Sequence, residues 1–129
     1  MRKGFTLIEL IVVVIIIGIL ATLGFAQYSK TVEKGRVAEA KMILGQIRTA
    51  EEGYDQDYGD RTSVIGSLGV NVPTACTGTN YFSYSLSGND TGLAVRCTST
   101  AGKTPAAATV YTVGVTFSSG VWTGTSGYY

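Results

Sequence analysis

Few side chains in this 129-residue chain are equipped for chemistry. It contains no histidine, so catalytic triads, imidazole acid–base work and His-ligated metals are excluded. Its two cysteines, Cys76 and Cys97, are too few for a zinc site without histidines. Asp55, Asp57 and Asp60 cluster after Tyr54, but they lack the spacing and the number of oxygen ligands of a calcium loop. They are read as a solvated helix end, although acids there oppose the helix dipole. The glycines are scattered and form no phosphate loop after a strand. The net charge of +1, with no basic stripe, does not suggest nucleic acid. No enzyme, cofactor or metal is expected.

One acid stands out by its place. Glu9 lies at the start of an apolar run, and from Leu10 to Ser29 there is no charged residue. A carboxylate in such a run costs on the order of 3 kcal/mol at mid-membrane, somewhat less near the end of a span. A plain membrane anchor or a cleaved secretory signal, which Gly24-Phe25-Ala26 would suit as a cleavage site, has no use for it. An intramembrane acid therefore implies a function.

The elements that position Glu9 follow from pattern. Phe5 to Phe25, as a helix, would span roughly 31 Å, the hydrocarbon thickness of a bilayer. Nothing breaks the helix after Phe25. Val37, Ala40, Leu44, Ile47 and Tyr54 recur as one apolar helical stripe, with Ile43 and Ala50 beside it. Lys34, Arg36, Glu39, Lys41, Arg48 and Glu52 decorate the other faces, and Gly59 marks the stop. A helix of about 50 residues needs lipid or other copies around its first half. Beyond Arg61 the only charges are Asp90, Arg96 and Lys103. There Tyr81–Leu86, Leu93–Cys97, Thr109–Phe117 and Val121–Thr123 read as strands. Turns at 87–92 and 118–120 separate the first two strands and the last two. Arg61 to Thr79 connects helix to sheet. The expected fold is α+β, a long N-terminal helix packed on a small antiparallel sheet of about four strands. Asn89-Asp90-Thr91 fits a glycosylation sequon and is read as a turn that contains Asn. Tyr128 and Tyr129 could meet a neighbour or simply fray.

Lys3-Gly4-Phe5-Thr6-Leu7-Ile8-Glu9-Leu10, followed by the apolar run, resembles the start of a type IV pilin. The likeness covers about Lys3 to Tyr28. It implies a leader of residues 1–4, removed by a prepilin peptidase between Gly4 and Phe5, and N-methylation of Phe5. It implies a helix over 5–58, with 5–25 the transmembrane and assembly half and 26–58 the amphipathic half. A globular part would follow over 59–129. Glu9 would pair with the Phe5 amine of a neighbouring subunit and set register. Gly18 matches a small residue of the run. The family's usual helix-kinking proline is replaced by Ala26, so Gly18 and Gly24 would soften the helix and leave it straighter. Cleavage would remove two of the ten basic residues, leaving eight against nine acidic.

The implied function is that of a structural subunit of a type IV pilus, a helical filament of identical copies. The precursor would wait in the bacterial inner membrane with its N-terminus inside, and the inner-membrane assembly machinery would export it. Exported, Cys76 and Cys97 would form a disulfide closing a loop of about 22 residues, worth roughly 3 kcal/mol. A pseudopilin of a type II secretion system is the close alternative. The disulfide counts against it, because the main pseudopilin usually lacks one and carries calcium. A membrane-anchored binding module or adhesin is the other alternative; it would need neither Glu9 nor the Gly4-Phe5 junction.

Overall fold

The computed structural model describes residues 4–98 and 110–128. One helix, α1 (Leu7–Tyr58), takes up 52 residues. It passes Gly18, Gly24 and Ala26 without interruption. Thr22 lies in the apolar half and donates its hydroxyl to the Gly18 carbonyl at 2.8 Å. A polar group that lipid would leave unpaired is thereby satisfied within the helix. Gly59 ends α1 with φ +77°, a left-handed conformation that suits glycine, and its N–H donates to the Asp55 carbonyl.

The sheet is a four-stranded meander in the order β1-β2-β3-β4, each neighbour antiparallel. The strands are β1 (Phe82–Leu86), β2 (Thr91–Arg96), β3 (Thr112–Thr116) and β4 (Trp122–Gly124). The expected α+β architecture is borne out. The third strand is shorter than the run Thr109–Phe117; residue 109 and Tyr129 lie outside the described residues. The connector contains a single 3-10 turn, Ile65–Leu68.

Alternation fixes the sheet's inner face. Phe82 and Tyr84 of β1, Ala94 of β2, and Val113 and Val115 of β3 are buried with Phe117 against Val37, Ala40, Leu44 and Ile47 of α1. Gly92 lets the layers close. A Cβ there would lie 2.9 Å from the Phe117 ring and 3.2 Å from Leu44. The disulfide between Cys76 and Cys97 ties the connector to the end of β2.

The helix stripe departs from expectation at its ends. The buried positions are 33, 37, 40, 44, 47 and 51, an unbroken alternation of four and three, and both ends are glutamates. Tyr54 is half-buried; Glu51 holds the stripe position that precedes it.

Candidate functional site

Two halves of α1 divide the labour. From Leu7 to Phe25 every residue is exposed. The helix is long and apolar enough to cross a membrane. From Val37 to Ile47 the same helix is the floor of the folded head.

Glu9 is built into the helix start. Thr6 caps α1, and both its backbone N–H (2.9 Å) and its hydroxyl (2.6 Å) donate to Oε2 of Glu9. The Glu9 N–H donates back to the Thr6 hydroxyl at 3.4 Å. This capping box satisfies backbone donors that lipid could not. It also fixes the carboxylate beside Phe5. Among the described residues nothing donates to Oε1, so that oxygen is open to a further donor. Glu9 thus has a role within its own chain, and Thr6 shares it. The signal was a threonine three residues before a glutamate that opens an apolar run.

A second polar centre sits where the bare half meets the head. Glu33 is buried, and Arg96 of β2 reaches it with Nε at 3.1 Å and Nη2 at 3.4 Å. The Tyr111 hydroxyl donates to the same carboxylate at 2.8 Å, and Arg36 pairs with it from one turn on. Arg96 Nη1 donates to the carbonyls of Tyr81 (2.9 Å) and Cys97 (3.0 Å). The Tyr81 ring contacts both guanidiniums, Arg36 at 4.3 Å and Arg96 at 5.1 Å. Burial pushes the Glu33 carboxyl up, but the hydrogen bonds from Arg96 and Tyr111 and the charges of Arg96 and Arg36 outweigh it and hold it below the ordinary carboxylate value. Burial raises the Tyr111 hydroxyl, and the Glu33 carboxylate raises it further.

Glu51 closes the stripe at the far end with fewer partners. Its Oε2 accepts the Thr62 N–H at 3.2 Å, while the buried Oε1 has no hydrogen-bond partner. Burial raises its carboxyl above 4.5, with Thr62 and Arg61 only partly opposing. Because the folded value lies above the unfolded one, the carboxyl's contribution to stability is complete below about pH 4.5 and is lost as pH rises through the folded value. Glu51→Gln should therefore stabilise the detergent-solubilised chain by about 1 kcal/mol at pH 7. The gain should vanish near pH 4. Thermal unfolding at both pH values checks this; an equal gain at both would exclude ionisation as the cause.

The remaining candidates fall elsewhere. Asp57 and Asp60 are exposed at the helix end, Asp55 is half-buried, and no three metal-ligating side chains group together among the described residues. Asn89 is exposed in the β1–β2 turn. Its neighbour Asp90 accepts from Ser118 and pairs with Arg61, joining two turns to the connector.

The chain's first 25 residues match the model of the prokaryotic N-terminal methylation motif. It is 38% identical over 80 residues to a probable minor fimbrial protein of Dichelobacter nodosus, covering 62% of this chain and 48% of that one. It is 48% identical over 52 residues to the type IV major fimbrial protein FimA of the same organism, covering 40% and 33%. It is 39% identical over 68 residues to the type IV major pilin protein PilA of Myxococcus xanthus, covering 50% and 31%. The chain thus carries the N-terminal methylation motif and is similar over part of its length to type IV fimbrial proteins. The chain spans about half the length or less of these curated relatives. The FimA match, over 52 residues, covers 40% of the chain.

Proposed function

We propose that the chain is a structural subunit of a type IV pilus. The observation that carries the reading is the bare apolar half of α1, wholly exposed from Leu7 to Phe25 yet continuous with the floor of the head. Such a surface needs lipid first and other copies later. A prepilin peptidase would cut between Gly4 and Phe5 on the cytoplasmic side, and Phe5 would be N-methylated. The methylation-motif match over residues 1–25 supports both steps. The inner-membrane machinery would then move the helix from lipid into a bundle of its own kind, with the heads outside the cell. Repetition of one head-to-tail contact without closure gives a filament.

In the bundle the new Phe5 amine meets Glu9 of an adjacent copy. The capping box supports this. It uses Oε2 and leaves Oε1 for the incoming cation. A buried pair of this kind acts as a register device more than as a source of stability. Gly18 and Gly24 would supply what flexibility the helix has.

Glu9→Gln tests the charge apart from the cap, since the amide oxygen can still accept from Thr6. The precursor should insert and be cleaved normally, while sheared filament should fall about tenfold or more, the loss of one close charge pair. Undiminished filament would remove the charge pair from the mechanism. The intact mass of the mature protein tests the whole reading: a methylated chain should start at Phe5. A chain starting at Gln27 would overturn it.

A further inference from the structure

A cleft of about 330 Å³ lies between α1 and the segment after β4, lined by Lys34, Val37, Ala38, Lys41, Gly127 and Tyr128. Among the described residues neither lysine has an acidic partner; Lys41 instead lies over the Trp122 ring at 5.3 Å. At the other end of the same helix the situation is mirrored. Asp55, Asp57 and Asp60 sit at the negative end of α1 with no basic residue in the last turn, and among the described residues none is paired with a base. Each group is electrostatically incomplete within its own chain.

We propose that the Lys34–Lys41 cleft receives the Asp57 end of α1 from a second copy of this chain, an inference that rests on the filament reading above. The two groups cannot meet in one molecule. Asp57 stands ~24 Å above Lys41 and ~35 Å above Lys34 on one rigid rod, at about 1.5 Å per residue. No side chain spans that distance. The angles suit two molecules. At about 100° per residue, Asp57 points about 140–160° around the axis from the two lysines. Complementary patches on nearly opposite faces are what a head-to-tail contact between parallel copies requires. The stagger suits the apolar half as well. Raising one copy by ~30 Å brings its Phe5 level with Phe25 of the lower copy, so their apolar halves follow end to end, and the copy whose Glu9 meets Phe5 is a different neighbour. Lipid headgroups are a poorer occupant. Lys34 and Lys41 lie ~13 and ~24 Å beyond Phe25, outside a headgroup layer of about 5–8 Å per side.

Zero-length carbodiimide coupling of sheared wild-type filaments tests the contact. The carbodiimide activates a carboxylate, a lysine amine already touching it displaces the urea, and an amide joins the two side chains. Mass spectrometry should then find Lys34 or Lys41 joined to Asp57 between copies. In cells, Lys34→Glu with Lys41→Glu should lower filament yield about tenfold, as should Asp57→Lys, and the triple variant should recover most of the loss. Reversed-charge variants that assemble at wild-type yield, with no Lys–Asp57 cross-link in wild-type filaments, would overturn the docking and leave the filament reading intact. A wild type that makes no filaments would overturn both.

Discussion

Arg96→Met, with Glu33 left in place, should destabilise the head by about 3–5 kcal/mol, enough to unfold most of it at growth temperature. The Glu33 carboxylate would keep its burial and lose its two bonds from the guanidinium. The carbonyls of Tyr81 and Cys97 would lose a donor in the same step. The pH response should change sign. In the parent, the Glu33 carboxyl is held below 4.5, so its contribution is present above that pH and is lost on acidification. Without Arg96 burial dominates, the carboxyl rises, and acidification should partly restore the variant. Glu33→Met with Arg96→Met should be much milder, since an apolar pair of similar volume leaves no buried carboxylate uncompensated, and Arg36 is partly exposed to water. Thermal unfolding of the solubilised chain between pH 4 and 7 separates the cases. Equal losses in the single and double variants would mean that Arg96 acts by packing alone.

Cys76→Ser with Cys97→Ser should cost about 3 kcal/mol, the chain-entropy value for a loop of this size. The connector explains why the loss matters. Between Tyr58 and Phe82 its regular structure is one 3-10 turn of four residues. It leans on the sheet through few bonds, such as the Tyr84 N–H to the Pro73 carbonyl at 2.8 Å. Asn80 bridges the carbonyls of Ala75 and Phe82 beside the disulfide. Hydrogen exchange should rise first at residues 70–80 and last on β2 and β3. Uniform loss of protection across the sheet would place the disulfide in the cooperative core instead.

The parts of this molecule that obey a period were readable in advance. The apolar run, the stripe Val37-Ala40-Leu44-Ile47 and the alternating strands each repeat at the spacing of their element. Glu33 and Glu51 occupy stripe positions as regularly as their apolar neighbours, but a charge at such a position reads as outward-facing. Only its partner changes that reading, and Arg96 lies 63 residues away in sequence. The cap at Thr6 is a local motif and was visible; the weight of Glu9 as a membrane acid hid its ordinary use at a helix start. The Lys34–Lys41 cleft was not legible, because part of its wall comes from Gly127 and Tyr128, brought back by the meander.

The unbroken α1 has a mechanical meaning. At about 1.5 Å per residue it is a rod of ~78 Å, and its fully buried positions run only from Glu33 to Glu51, some 27 Å of it. Tension along a filament of such rods would run through helix backbones and the contacts between them. The sheet hangs to the side, held at one end by Glu33–Arg96, and bears little of the pull. Its loops can therefore vary without weakening the cable.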